Sequence, residues 1–453
     1  MADSTTLTTE PVGVFTRDEV EILSTRRNEP EWLREQRFRA QEVFASTPMP
    51  DTRPEEWRYT PIAQILKLDA LGLADEARPV TEVADLPEGV RALVDGVGDA
   101  AGRIAQVNAS VAFRELADDL ARQGVIFTSL DLAVQEHGEL VRKHFGSGVT
   151  PEEGKFAALN SAYWTGGTFL YVPKNVRVEM PFRTFRWLSG EQGSVFGRTL
   201  VVAEEGSEVS LVEDLGSADF EAQTLSVGAV EIVAIEGAKV NYVAVQRFGR
   251  GVLHLTTDRL LAGRDARIST LYLALGSDVT RADIQCKLQN SGAHVDILGL
   301  YIADGTQHID HETMQDHIAP HASSNLLFKG ALRDAGRSVF RGLIRVHPKA
   351  QRTDAYQTNR NLILSADARA DSLPNLEIGA DDVRCSHAAT IGQLDEEEIF
   401  YLLSRGIRKP EAIRLVVFGF FAEVLDQFPL AEVKKELVGV IEHKLFGKPA
   451  VNA

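Results

Sequence analysis

The sequence predicts a mainly β chain, with a parallel β-helix core between two mostly helical terminal regions. Three observations carry that expectation. A turn of small residues followed by a strand recurs roughly every thirty residues through the middle of the chain. That middle zone shows almost no helical periodicity. Both flanks show it clearly. The chain has 453 residues, enough for a large core or for two or three domains.

The N-terminal region, 1–153, reads as mostly helical. RDEVEILSTRRNEPEWLREQRFRAQEVFAST spaces Val20, Ile22, Leu23, Trp32, Leu33, Phe38 and Phe44 as an amphipathic face broken near Pro30. A proline-punctuated turn region follows, MPDTRPEEWRYTPIAQIL. Short helices with room for two strands complete the region.

The core, 154–378, contains EEGSEVSLVEDL, IEGAKVNYVAVQ, GRDARISTLYLA, NSGAHVDILGLYI, DAGRSVFRGLIRV and SADARADSLPNLEI. Each is a tight turn of Gly, Ala, Asp or Ser followed by a strand. The turns sit at Gly206, Gly237, Asp265 and Gly292. The next similar one, at Gly336, is a longer step that leaves room for an extra rung. Stacked rungs pair their backbones with their neighbours, so no rung is stable alone. A β-sandwich also shows many short strands. The constant order of turn and then strand favours the β-helix.

The C-terminal region, 379–453, returns to helix. Asp395 is suited to an N-cap, and Pro410 to a first helical turn. Val416, Val417, Phe418, Phe420 and Phe421 cover nearly the whole circumference of the second helix. Such a helix is buried on several sides, either in its own domain or against another chain.

The formal charge of −17 argues against nucleic acid as a main partner and against an anionic membrane surface. The opening MADSTTLTTEPVGVF has no leader pattern. The longest apolar run, IRLVVFGFFAEVL, falls short of the ~18 residues of a membrane span. Two cysteines, Cys286 and Cys385, fit a reducing, cytoplasmic location better than a disulfide framework. GVTPEEGK misses the phosphate-loop spacing, and Phe156 stands where Ser or Thr would hold magnesium. No ATP binding by this chain is expected.

Two stretches carry chemistry. GTQHIDHETMQDHIAPHASS holds His308, His311, His317 and His321 among Asp310, Glu312 and Asp316. Imidazole and carboxylate suit zinc or iron, but the spacing matches no tight metal motif. On a strand, His308, Asp310 and Glu312 share one face, and His311, Thr313 and His317 the other. A polar strand hydrogen-bonded along a β stack is the preferred reading. The second stretch is DDVRCSHAATIG. If it is extended, Cys385 and His387 project to one side. They supply half of a soft metal site, since zinc and iron–sulfur clusters take about four ligands. The remainder would come from another polypeptide. A Cys-His dyad and a structural cysteine beside a surface histidine are the alternatives.

The run HPKAQRTDAYQTNRNLILSADARADSLPNLEIGADDVRCSHAATIGQLDEEEIFYLLSRGI, from His347 to Ile407, resembles the core signature of the SufB/SufD family. These are scaffolds of the SUF iron–sulfur cluster assembly system. EPEWLREQRFRAQEVF with EEWRYTPI is similar to the SufD branch, as is Cys-Ser-His in place of SufB's Cys-Glu-His-Glu-Ala. The likeness spans most of the chain and is weakest between Asp69 and Glu152. It implies a right-handed β-helix and a non-catalytic subunit pairing with SufB, extending one sheet across a heterodimer. It implies that His387 faces a SufB cysteine, with Cys385 as accessory ligand or packing residue, around a nascent iron–sulfur cluster shared with SufB. It implies a C-terminal helical domain that docks the SufC ATPase, giving a partner role to Phe418, Phe420 and Phe421. Ala388 departs from the family's usual glycine. A homodimer without SufB is left open. The competing readings are a metal-dependent hydrolase built on His308 to His321 and a β-helix carbohydrate-active enzyme.

Overall fold

A computed structural model describes residues 13–447. Most of the opening stretch on which the absence of a leader pattern rests therefore lies outside the described residues. From Gly166–Val172 to Arg384–Gln393, sixteen strands alternate between two sheets. Each strand pairs in parallel with the strand two ahead of it in the chain, in register over its length. The result is a parallel β-solenoid of eight turns, as the recurring turn-and-strand pattern predicts.

The two edges of the solenoid explain the irregular step at Gly336. Passing from the first sheet to the second, the chain turns through residues of positive φ at Gly206, Gly237, Asp265, Gly292, His321 and Arg352. Passing back, it turns through Gly251, Ser277, Gly305 and Asp334. The series read from the sequence therefore jumps to the opposite edge after Gly292. The missing turns carry His321 and Arg352, which adopt the left-handed conformation without being glycine.

Side chains pointing into the bore stack in columns. One column of the second sheet runs Ile297, Leu326, Gln357, His387. Its neighbour runs Val295, Ser324, Ala355, Cys385. In the inner turns these positions are sealed by the turn above. Phe328 packs edge-on against His311, with ring centroids 5.0 Å apart, and meets Phe340 on its other side. Gly299 leaves room for that ring, since a Cβ there would fall 2.4 Å from it.

The first end of the solenoid is capped. The hairpin Gly102–Val107 and Ser110–Leu116 extends the second sheet, and Ile126–Ser129 pairs antiparallel with Gly166–Val172 in the first. The helices Arg17–Arg26, Glu31–Ser46 and Lys155–Tyr163 bury Phe15, Leu33, Phe44 and Tyr163 against Phe196 and Leu200 of the first sheet. The loop that approaches a phosphate-loop spacing cradles an internal anion instead. The N–H groups of Gly148 and Val149 donate to the Glu231 carboxylate at 2.9 and 3.2 Å, opposite Arg198.

The last end carries no cap among the described residues. Arg369–Ile378 and Arg384–Gln393 are the outermost strands of their sheets. The solenoid thus continues past the expected boundary at 378, because the Cys385–His387 segment is itself the final strand. The helices Glu396–Ser404, Lys409–Gln427 and Ala431–Phe446 follow. Asp395 caps the first, accepting from the Glu397 N–H at 2.8 Å. The other two lie along the outer face of the second sheet. Val417, Phe421, Val424, Leu437 and Ile441 pack there against Leu271, Leu298, Leu300 and Leu327. Ion pairs tie this layer down: Arg183 with Glu436 at 2.9 Å, Lys444 with Asp304 at 2.9 Å and Arg360 with Glu423 at 2.9 Å. No described helix is long and apolar enough to cross a membrane.

Candidate functional site

The strand Arg384–Gln393 pairs with Asp354–Ile363, and Arg384 N–H donates to the Thr353 carbonyl at 2.8 Å. In a parallel ladder alternate residues direct their backbone groups to opposite neighbours. Arg384, Ser386, Ala388 and Thr390 are thus engaged with the strand below. Cys385, His387, Ala389 and Ile391 direct N–H and C=O to the open end, and their side chains into the bore. Cys385 and His387 project to one side, as an extended segment requires.

Two donors are presented there, not a complete metal site. Cys385 is half-buried beside Val383, over the cluster of Ile344, Val346, Ala350 and Ala355. Burial, and then the charge of Asp354, push its thiol above the ordinary range. A thiol is a poor nucleophile and ligand until deprotonated, and these surroundings make deprotonation harder. His387 is exposed. Cys286 does not join them. It faces the bore from the opposite sheet three turns earlier, fully buried, with its thiol pushed up by burial to about 12. Ala388 lies within the regular strand and is not among the residues of positive φ, so alanine adds no backbone strain.

The rim around Cys385 and His387 is apolar. Leu376, Ile378 and Ile391 point into the same last turn and are 39%, 41% and 49% exposed. The facing edge differs in one respect. Arg369 and Gly379 direct their N–H groups to the strand below. Ala370, Ser372, Leu376 and Ile378 therefore direct theirs to the open end, and Pro374, which has no N–H, interrupts that row.

The histidine-rich run forms the strand His308–His317 in the middle of the stack. Its predicted two faces are present. On the outer face, Thr60 bonds both the His308 ring, at 2.8 Å, and Asp310. Asp310 also meets Arg281, and Glu312 bonds Arg281 at 2.6 Å and Arg341 at 2.7 Å. On the inner face, His311 lies between Tyr301 and Phe328, and His317 bonds the Ser324 hydroxyl at 2.8 Å. Burial pushes both inner imidazoles down to about 4. These carboxylates are satisfied by arginines, and no group of three or more His, Cys, Asp or Glu among the described residues is placed to hold a metal ion. The run is a hydrogen-bonded strand, and a hydrolase site built on it has no ligand set.

Phe418 and Phe420 are half-buried, and Phe421 is wholly enclosed by its own chain. Apart from Phe446, the exposed large apolar side chains of the helical layer are instead Phe400, Tyr401, Leu403 and Leu415. The sequence reading missed those four, and it missed Gln357. The first group was hidden because amphipathic faces do not state which side a neighbouring solenoid will cover. Gln357 becomes notable only through its register beneath His387.

Comparison with known proteins agrees with this architecture. The family model for the SUF system FeS cluster assembly SufBD core domain matches residues 185–420, and that for the SufBD protein N-terminal region matches 15–184. The chain is 34% identical to the iron-sulfur cluster assembly protein SufD of Bacillus subtilis, over 93% of this chain and 96% of that one. It is 30% identical to an iron-sulfur cluster assembly SufBD family protein of Staphylococcus aureus, over 96% and 93%. It is 29% identical to the Bacillus subtilis iron-sulfur cluster assembly protein SufB, over 96% and 93%. A solenoid between helical layers, matched by both family models, makes this chain a member of the SufB/SufD family of iron–sulfur cluster assembly proteins.

Proposed function

We propose that this chain is the SufD-type, non-catalytic subunit of a scaffold in which SufB and SufC are its partners, and that a nascent iron–sulfur cluster is built where its last turn meets SufB. The observation that carries the reading is the uncapped final turn. There the Cys385 and His387 side chains and the unpaired backbone groups of the same residues face one open end. A strand from a partner chain satisfies that edge by β-augmentation. The same pairing brings the missing ligands to Cys385 and His387. The cluster is cargo in this scheme, and His387 is the leading ligand because its ring is exposed at the open end while Cys385 is half-buried.

Pro374 supports an asymmetric junction. The second sheet offers an uninterrupted row of donors from Cys385 to Gln393, and the first sheet does not. The greater identity to a SufD than to a SufB, 34% against 29%, supports the choice of subunit. For SufC, the supporting feature is the set of exposed apolar side chains on the helical layer, Phe400, Tyr401, Leu403 and Leu415. ATP would be bound by SufC and not by this chain. Movement of SufC would act on the cluster region through the helical layer.

The test is the anaerobic iron and sulfide content of the complex copurified with SufB and SufC, wild type against His387→Ala. Normal assembly with most of the cluster lost is the expected result. Unchanged cluster content makes His387 architectural and overturns the half-site reading.

A further inference from the structure

We propose that Gln357 is a positioning residue for His387: its buried side-chain amide accepts the imidazole N–H from beneath and fixes which ring nitrogen faces the partner chain. The inference rests on the reading of the last turn as half of a shared site.

Gln357 lies in the strand Asp354–Ile363 with its side chain in the bore and none of it exposed. A primary amide offers two donors and an acceptor. Neither Nε2 nor Oε1 of Gln357 has a hydrogen-bond partner among the described residues. Buried amides are nearly always paired, so this one is an exception with a cause. The other bore-facing amides of the same strand, Asn359 and Asn361, are bonded. Asn359 Nδ2 donates to Tyr301 Oη at 2.9 Å, Asn361 Nδ2 donates to Asn359 Oδ1 at 2.8 Å, and Tyr301 Oη donates to Asn361 Oδ1 at 2.6 Å.

The bore is shaped for this amide. It reaches across to Gly342 of the opposite sheet, where a Cβ would fall 2.4 Å from Nε2 and 2.5 Å from Oε1. Any other residue at 342 would occupy its place. Below Gln357 in its own column is Leu326, which bonds nothing, and below Gly342 is Thr313, whose hydroxyl is turned to the Arg341 carbonyl. Above Gly342 is Pro374, which has no N–H, and above Gln357 is His387. The unpaired Oε1 of Gln315 and Oγ of Ser372 belong to the columns on either side of Gly342. In the two columns that hold the amide, the polar partner is the imidazole, one rung spacing or about 4.8 Å away. In the uncovered chain that ring is exposed. Closure of the open end by a partner strand turns it inward over the amide. Oε1 then takes the proton of one ring nitrogen and the other nitrogen is left bare for iron, the arrangement usual for histidine ligands.

The test uses Gln357→Met and Gln357→Glu, beside His387→Ala. In the isolated chain, Gln357→Met is expected to unfold at the same or a higher temperature, because it removes an unpaired amide without changing length. In the copurified complex it is expected to lose iron about tenfold or more. Gln357→Glu, which keeps an acceptor oxygen, is expected to recover most of that iron. Solid-state ¹⁵N spectra of histidine-labelled complex are expected to show one tautomer for His387 in wild type and a mixture in Gln357→Met. A large fall in unfolding temperature with Gln357→Met, or a failure of Glu to restore iron at normal complex yield, makes Gln357 merely structural. Wild-type iron in Gln357→Met beside loss in His387→Ala overturns this inference alone. Wild-type iron in both overturns the half-site reading as well.

Discussion

Ile344 and Leu376 occupy one column of the bore, a single turn apart. Ile344 is fully buried and Leu376 is 39% exposed. The same contrast separates Gln357 from His387 and Ala355 from Cys385. Backbone, register and side-chain direction are shared by the two turns. The difference is that the seventh turn has a roof and the eighth has none. In a stacked repeat each rung is stabilised by the next, so the final rung carries side chains whose burial must come from elsewhere. In that final rung Cys385 and His387 stand uncovered where Ala355 and Gln357 are enclosed one turn below.

The largest effect expected from breaking this comparison is on stability. Ile344→Ala should cost about 2–5 kcal/mol in denaturant unfolding of the isolated chain, and Leu376→Ala under about 1 kcal/mol. Equal losses would mean that the last turn is already covered in solution.

Acidity sharpens the contrast at the next scale. His317 is buried and its imidazole is pushed down to about 4. The unfolded chain takes up that proton near pH 6.5 while the folded chain resists it. Its contribution is therefore present above about pH 6.5 and is lost as pH falls towards 4. His317→Leu should be less stable than wild type at neutral pH, where the bond to Ser324 is lost. The gap should narrow by roughly 1–3 kcal/mol at pH 4.5. Asp258, buried and pushed up to about 7, works in the opposite sense. Its contribution is complete below about pH 3.8 and is lost as pH rises to about 7, so Asp258→Asn should gain on wild type across that window and hold the gain above it. Thermal scans across pH on the two variants check both slopes.

The smallest expected effect concerns the edge. Ala389 N–H points to the open end, so Ala389→Pro should leave the isolated chain folded with little change in unfolding temperature. It places on the second sheet the interruption that Pro374 places on the first. Association with the proposed partner SufB, measured by titration, should weaken by about tenfold or more. Unchanged affinity would move the junction away from this strand.

Much of the solenoid could be read from residues because its turns need unusual backbone. Gly206, Gly237 and Gly292 advertise a positive φ, and Asp265 tolerates it. His321 and Arg352 adopt the same conformation without the compositional signal, so the reading slipped to the other edge at Gly336. The pairing of Cys385 with His387 was legible because alternation along a strand is local. The final strand was nonetheless placed outside the core, since nothing local distinguishes the last rung from a loop before a helix. The two faces of His308–His317 were legible as alternation. Their partners were not, because Thr60 and Arg281 reach them from distant parts of the chain. The enclosure of Phe421 depends on which side of its helix the second sheet covers, and no periodicity states that.

An uncapped sheet edge is also a matter of dosage. The row of donors from Cys385 to Gln393 is a template for any strand that arrives, including one from another copy of the same chain. Pro374 disables one of the two templates and leaves the other open. A cell that makes this chain in excess of whatever covers that edge accumulates molecules ready to stick to one another. If a partner subunit covers that edge as proposed, matched production of the two chains becomes a demand set by the last ten residues of the solenoid.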